Sequence, residues 1–177
     1  TDGIYIGRTK GNAIENNRIT TFGVHSNAMY IAIADPHNIS YNNFTPNSGI
    51  GVRVQGVSSL YYNHSLPITN NVHGLPLLYN TSLENQIIFE NQDLSSTYGQ
   101  ITCASCTNVS YSNLTLAGAG IALFSSSYSD VSDITGTVVS NGLYLYDSIN
   151  VTLNSLDISM TGQNAYGVYL VSSDNNS

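Results

Sequence analysis

Apolar residues in this chain alternate with polar ones over very short stretches that stop at glycine, asparagine or serine. One stretch recurs: Gly3-Ile-Tyr-Ile6, Ala28-Met-Tyr-Ile31, Gly49-Ile-Gly-Val52, Gln100-Ile-Thr-Cys103, Gly120-Ile-Ala-Leu123, Gly142-Leu-Tyr-Leu145 and Gly167-Val-Tyr-Leu170. A period of two puts Ile4 and Ile6 on one face of a strand and Tyr5 on the other. A second strand follows each of the first six copies. Its clearest versions are Asn12-Ala-Ile14-Glu-Asn-Asn-Arg-Ile19, Asn38-Ile-Ser-Tyr-Asn-Asn-Phe44, Asn108-Val-Ser-Tyr-Ser-Asn-Leu114 and Asn150-Val-Thr-Leu-Asn-Ser-Leu156. The first aliphatic of each (Ile14, Ile39, Val109, Val151) stands five positions before the next apolar anchor.

First-strand copies start 20 to 25 positions apart, except where an irregular insert at about residues 67–99 separates two of them. Strands this short are not stable alone. Stacked on like neighbours about 4.8 Å away, they share backbone hydrogen bonds and an aliphatic ladder. The pattern predicts an all-β chain: a right-handed, single-stranded parallel β-helix of about seven coils, forming one domain over residues 1–177. A β-sandwich would need longer strands and hairpin dipeptides, which are scarce here. Neither end carries a polar cap, so the chain is expected to belong to a longer chain or an assembly.

Composition narrows the function classes. Charged residues make up 8% of the chain, against roughly 25% in a typical domain. The net charge is −7, and the four cations (Arg8, Lys10, Arg18, Arg53) all lie in the first third. Binding to a phosphate backbone needs clustered cations, so no nucleic-acid partner is expected. No apolar run approaches the roughly 20 residues of a membrane-spanning helix. Asn, Ser and Thr supply about a third of the residues, which disfavours helix and suits strands joined by polar turns.

The Gly-Ile-Tyr-Ile and Asn-Asn-Arg-Ile copies resemble the repeats of NosD-like proteins and the wider carbohydrate-binding and sugar-hydrolase β-helix group. The segment Asn71-Val-His-Gly74-Leu-Pro76-Leu-Leu-Tyr79, followed by Gly99-Gln-Ile-Thr-Cys-Ala-Ser-Cys106-Thr-Asn108-Val-Ser-Tyr-Ser-Asn113-Leu-Thr-Leu116, is similar to one common in archaeal surface β-helix proteins. There a Gly-Lys-Pro-Leu turn is usual, and this chain has Leu75 at the Lys position. The resemblance covers nearly the whole chain. It implies the fold specifically and the function only broadly, because one solenoid carries lyases, hydrolases, adhesins and structural proteins.

Candidate chemistry is sparse. Asn-x-Ser/Thr sequons stand at Asn38, Asn43, Asn63, Asn80, Asn108, Asn113, Asn150 and Asn175. All but the last are taken as glycosylation sites, on the expectation of export. Tyr5, Tyr30, Tyr144 and Tyr169 share one outward coil position and are the candidates for contact with a sugar or a partner chain. Gly51, Thr102 and Ala122 interrupt that row. Tyr41, Tyr62 and Tyr111 are expected in the core. Cys103 and Cys106 are expected to be two buried free thiols, with a turn-closing disulfide as the second reading. Asp130, Asp133 and Asp147 are the one candidate acidic group, for which solvated turn residues are the favoured reading over a weak calcium site. Met29, Met160 and the histidines 25, 37, 64 and 73 show no metal-binding repeat. No catalytic residue, metal or cofactor is assigned. The expected function is non-enzymatic: an extracellular surface-layer, filament or adhesin component that self-associates or meets other surface proteins. A carbohydrate-binding module is the alternative, and part of a polysaccharide lyase or hydrolase a third.

Overall fold

The computed structural model describes residues 2–118 and 120–177. In chain order the strands are β1 (Ile4–Gly7), β2 (Ala13–Glu15), β3 (Arg18–Thr21), β4 (Met29–Ala32), β5 (Asn38–Ser40), β6 (Asn43–Pro46), β7 (Val52–Gln55), β8 (Asn71–Val72), β9 (Leu75–Thr81), β10 (Glu84–Asp93), β11 (Gln100–Ala104), β12 (Thr107–Leu116), β13 (Ile121–Phe124), β14 (Asp130–Val138), β15 (Leu143–Tyr146), β16 (Thr152–Met160) and β17 (Val168–Val171). Among the described residues one 3-10 turn is present, Ser59–Tyr62, after β7. The strands stack in parallel as a β-solenoid of about seven turns.

The corners between walls are made by residues in the left-handed backbone region. Ser82, Ser105, Ser125, Asp147 and Ser172 each follow a first strand at φ between 45° and 57°. Asn85, Asn108, Tyr128, Asn150 and Asn175 form a second column, and Asn91, Asn113, Asp133 and Ser155 a third. Asn and Asp tolerate this region better than other non-glycine residues, which explains their abundance at the repeat positions.

The two halves of the chain do not continue one another simply. The strands β1, β4 and β7 form one sheet, and β3, β6 and β8 lie at the far end of an eight-stranded sheet that continues β9, β11, β13, β15 and β17. The pairing of β8 with β9 is antiparallel, unlike its neighbours. Here the chain reverses at His73-Gly74, both with positive φ. After the reversal, the outer face of the second half lies on the first. Ala104, Ala122, Phe124 and Tyr144 share one core with Ile31, Ile39, Phe44 and Val52. A second core lies inside the later coils, around Ile101, Tyr111, Leu123, Val131 and Leu145.

Four expectations need correction. The region at 67–99 is more regular than expected: after the antiparallel turn from β8, β9 and β10 stack on β11 and β12, with one register shift between Ile87 and Phe89. It escapes the repeat pattern because Leu75-Pro76-Leu77-Leu78 lacks the glycine and alternation of the other copies. The third first strand is Val52–Gln55, so Arg53, not Gly51, sits beside Tyr30. Gly51 serves another purpose, since a Cβ there would fall 2.4 Å from Val72 Cγ2 and 2.9 Å from Gln100 Oε1. Tyr41 is 64% exposed because it occupies a left-handed corner (φ 56°), whereas Tyr62 and Tyr111 are buried as expected.

The cysteines form a disulfide and are not free thiols, although their burial is as expected. Ser105 at φ 57° folds the chain sharply between them, bringing the two Cα atoms to 5.9 Å. That lies inside the span a disulfide bridges. Closing so short a loop is worth on the order of 1–2 kcal/mol. We expect no thiol to react with Ellman's reagent before denaturation and reduction, and two afterwards. Reaction of the native protein with either cysteine would show that the bridge is not formed.

Candidate functional site

Several polar side chains that sequence reading assigns to turns instead brace one coil against the next. In the first half, the Asn17 N–H donates to Asn42 Oδ1 (3.0 Å), and the Asn42 N–H donates to Asn70 Oδ1 (3.1 Å). The Asn42 amide also donates to the Ile14 carbonyl (2.8 Å) and the Ser40 carbonyl (3.0 Å). In the second half serine does the same: the Cys106 N–H donates to Ser126 Oγ, the Ser126 N–H to Ser148 Oγ, and the Ser148 N–H to Ser173 Oγ, each at 3.1–3.2 Å. Strand hydrogen bonds cannot reach around a corner, so these side chains satisfy the corner amides.

Gln100 performs a related task at the free edge of β7. Its Oε1 accepts from the Val52 N–H (3.1 Å) and its Nε2 donates to the Val52 carbonyl (2.9 Å). The carboxamide thus takes the place of the next strand's peptide group. The same Nε2 reaches Thr102 Oγ1 (2.8 Å).

The aromatic row is real but mostly covered. Tyr5 pairs with Tyr30 in strand register and at 5.3 Å between rings, and Tyr144 pairs with Tyr169 likewise. Tyr5 is 65% exposed, yet Tyr144 is only 2% exposed, because the first half of the chain covers it. Arg53 lies 4.5 Å from the Tyr30 ring and 4.6 Å from that of Tyr146, with Tyr144 at 5.9 Å. Contacts of this kind contribute about 0.5–2 kcal/mol each. Burial pushes the Tyr144 hydroxyl well above its ordinary pKa, against the pull of Arg53. Tyr169 stacks with Tyr166 and His25, joining the two halves again at the other end. Of the four tyrosines, Tyr5 therefore remains open to a large ligand, Tyr30 and Tyr169 are half-buried, and Tyr144 is closed off.

The sequon asparagines also separate. Asn108, Asn113, Asn150 and Asn175 hold left-handed corners, so backbone geometry alone accounts for asparagine there. Asn108 and Asn113 further donate to Asn85 and Asn91 (both 2.7 Å). Asn43 is half-buried with Oδ1 fully enclosed, and Asn80 is in register with inward Cys103. Asn38 and Asn63 are exposed, as are the corner residues Asn108, Asn113 and Asn175, but neither Asn38 nor Asn63 holds a left-handed corner. Asp130, Asp133 and Asp147 do not converge: Asp130 accepts from Ser132 Oγ (2.9 Å), Asp147 from Ser125 Oγ (3.1 Å), and Asp133 turns a different corner. Among the described residues, no three His, Cys, Asp or Glu side chains meet as metal ligands would.

A polar cleft of about 410 Å³, which the sequence did not announce, is lined by Arg8, Thr9, Ile33, Asp35 and Tyr61. It forms where successive coils turn the same corner, with Arg8 and Ile33 both left-handed (φ 52° and 48°). Comparison of the chain with protein families, with curated proteins and with solved structures finds no match.

Proposed function

We propose that the chain is a non-catalytic, extracellular structural solenoid, a component of a surface layer, filament or adhesin. The observation that carries this reading is where its polar chemistry goes. Asn17, Asn42, Asn70, Gln100, Ser126 and Ser148 are engaged in holding one coil to another, which serves rigidity. The Cys103–Cys106 disulfide supports an oxidising compartment. So does the likeness of the repeats to archaeal surface β-helix proteins. Exposed Asn38 and Asn63 fit glycan attachment best among the sequons.

Self-association would use uncovered core positions. In β16 and β17, Leu153, Leu156 and Leu170 stand where preceding coils bury Val131, Ile134 and Leu145. Leu170 is 47% exposed. A further coil laid on this end, from the same chain or a neighbouring molecule, would cover them at roughly 25 cal/mol per Å². Electron microscopy of native material is expected to show filaments, sheets or sheaths that contain this chain. Dispersed single particles would sink the assembly reading.

A carbohydrate-binding role has one observation in its favour: the cleft sets a tyrosine ring beside a guanidinium, a carboxylate and a hydroxyl. Calorimetry against soluble oligosaccharides tests it. Heat that survives Tyr61→Ala with Asp35→Asn would place any sugar elsewhere.

A further inference from the structure

His37 and His64 are both buried and lie face to face, with ring centroids 5.5 Å apart and planes within 3° of parallel. Both Nδ1 atoms accept backbone hydrogen bonds from the neighbouring coil. The Asn12 N–H donates to His37 Nδ1 (3.0 Å), and the His37 N–H donates to His64 Nδ1 (3.3 Å). This fixes the tautomer in each ring: Nδ1 carries a lone pair, so the proton is on Nε2. Both Nε2 atoms are enclosed without a hydrogen-bond partner. The pair thus occupies a ladder position like that of Asn17, Asn42 and Asn70, but with a side chain that can charge.

We propose that the His37–His64 pair is an acid-sensitive latch, which ties the first three coils together while neutral and releases the Thr9–Asn12 segment when protonated. Protonation places a hydrogen on each Nδ1, opposite an amide that itself donates. Both inter-coil bonds are then lost, and two like charges face each other across a stacked gap. What remains for the segment is the Asp35 N–H to the Thr9 carbonyl (3.0 Å), the Gly11 N–H to the Pro36 carbonyl (3.2 Å) and, at its end, the Asn38 N–H to the Asn12 carbonyl (3.0 Å). The charged and titratable groups on the three turns packed here are Arg8 and Lys10 on the first, Asp35 on the second, and Tyr61 and the buried Tyr62 on the third. Asp35 favours a charged His37, but burial outweighs it and holds the His37 pKa below the ordinary value. Burial, with His37 opposite, lowers that of His64 to about 4.

The direction with pH follows. The unfolded or opened state takes up protons near the ordinary histidine value of about 6.5; in the closed state His64 does so only near 4, and His37 below its ordinary value. Between those values the opened state binds more protons, so closure weakens as pH falls through the window. Above it the latch is fully closed.

Hydrogen exchange tests this directly. Exchange rates of the Asn12 and His37 amides, corrected for intrinsic rates, are compared from pH 7.5 to 4. Their protection is expected to fall about tenfold per pH unit for each histidine that takes up a proton. Amides of Ile121 and Leu143, in the second half, serve as the internal reference. The double variant His37→Asn, His64→Asn keeps an acceptor that does not titrate. It is expected to retain protection at pH 7.5 and to keep it at pH 4.5. Acid opening that is the same in wild type and variant would overturn the proposal, as would protection that is flat with pH in wild type. If the variant fails to fold, a histidine NMR titration of the wild type decides. Nε2-protonated rings with depressed pKa values uphold the latch, and two ordinary titrations near 6.5 refute it.

Discussion

Gln100→Glu is expected to lower stability by about 3 kcal/mol or more at neutral pH, although the two side chains have the same shape. The Val52 N–H can still find an acceptor, but the Val52 carbonyl would meet a carboxylate oxygen where Nε2 now donates at 2.9 Å. Gln100 is fully buried and no cation is bonded to it, so the new charge is uncompensated. The introduced carboxyl should therefore titrate above the ordinary Glu value. A raised folded-state pKa gives a penalty that shrinks as pH falls. Below that pKa the protonated acid donates to the Val52 carbonyl and restores the missing bond. Urea midpoints of variant and wild type are expected to diverge at pH 7 and to converge toward pH 4.5. Each must be compared at the same pH, because the histidine pair lowers both. A constant gap across this range would show that the edge of β7 does not depend on the Gln100 carboxamide.

Asn42→Ala is expected to cost about 3–4 kcal/mol. The residue is wholly buried, and its side chain joins three coils. Truncation leaves the Asn17 amide and the Ile14 and Ser40 carbonyls without their present partner. Each such loss contributes about 1 kcal/mol, and the groups shut away from water more. Asn38→Ala, at an exposed position of β5, is the matched control and should stay within about 0.5 kcal/mol. Equal denaturation midpoints for the two variants would reduce the asparagine ladder to a by-product of corner geometry.

The difference between Asn42 and Asn38 also shows what the sequence could and could not announce. Alternation such as Ile4-Tyr5-Ile6 is a local property, and it located six of the eight first strands in their observed places. The asparagine corners were legible for the same reason, since left-handed geometry acts within one residue, whereas the serine corners at Ser82, Ser105, Ser125 and Ser172 were not. Inward polar residues were not. Asn42, Ser126, Ser148 and His37 look like turn residues until the neighbouring coil supplies an amide for each to accept. The reversal at β8 and β9 was hidden too, because nothing near His73-Gly74 reports which distant face will be covered. That reversal changed the fate of the tyrosine row: alternation correctly turned Tyr144 out of its own coil, and the first half, on which that face then lies, encloses it. The cysteines were misread for a local reason. A strong bend at Ser105 brings together two inward positions that an extended segment would have kept apart.

The reversal carries a kinetic consequence. A plain solenoid makes contacts that span a single period, so it zips from any nucleus and frays from its ends, with stability adding repeat by repeat. This chain closes much larger loops: Ser48 Oγ donates to the Asn164 carbonyl across 116 positions, and His25 meets Tyr166 across 141. Those contacts cannot form until both halves have their coils in place. Docking then rewards both at once and makes them interdependent. The molecule should exchange the gradual melting of a repeat array for one cooperative transition, with slower refolding as the cost of its long loops.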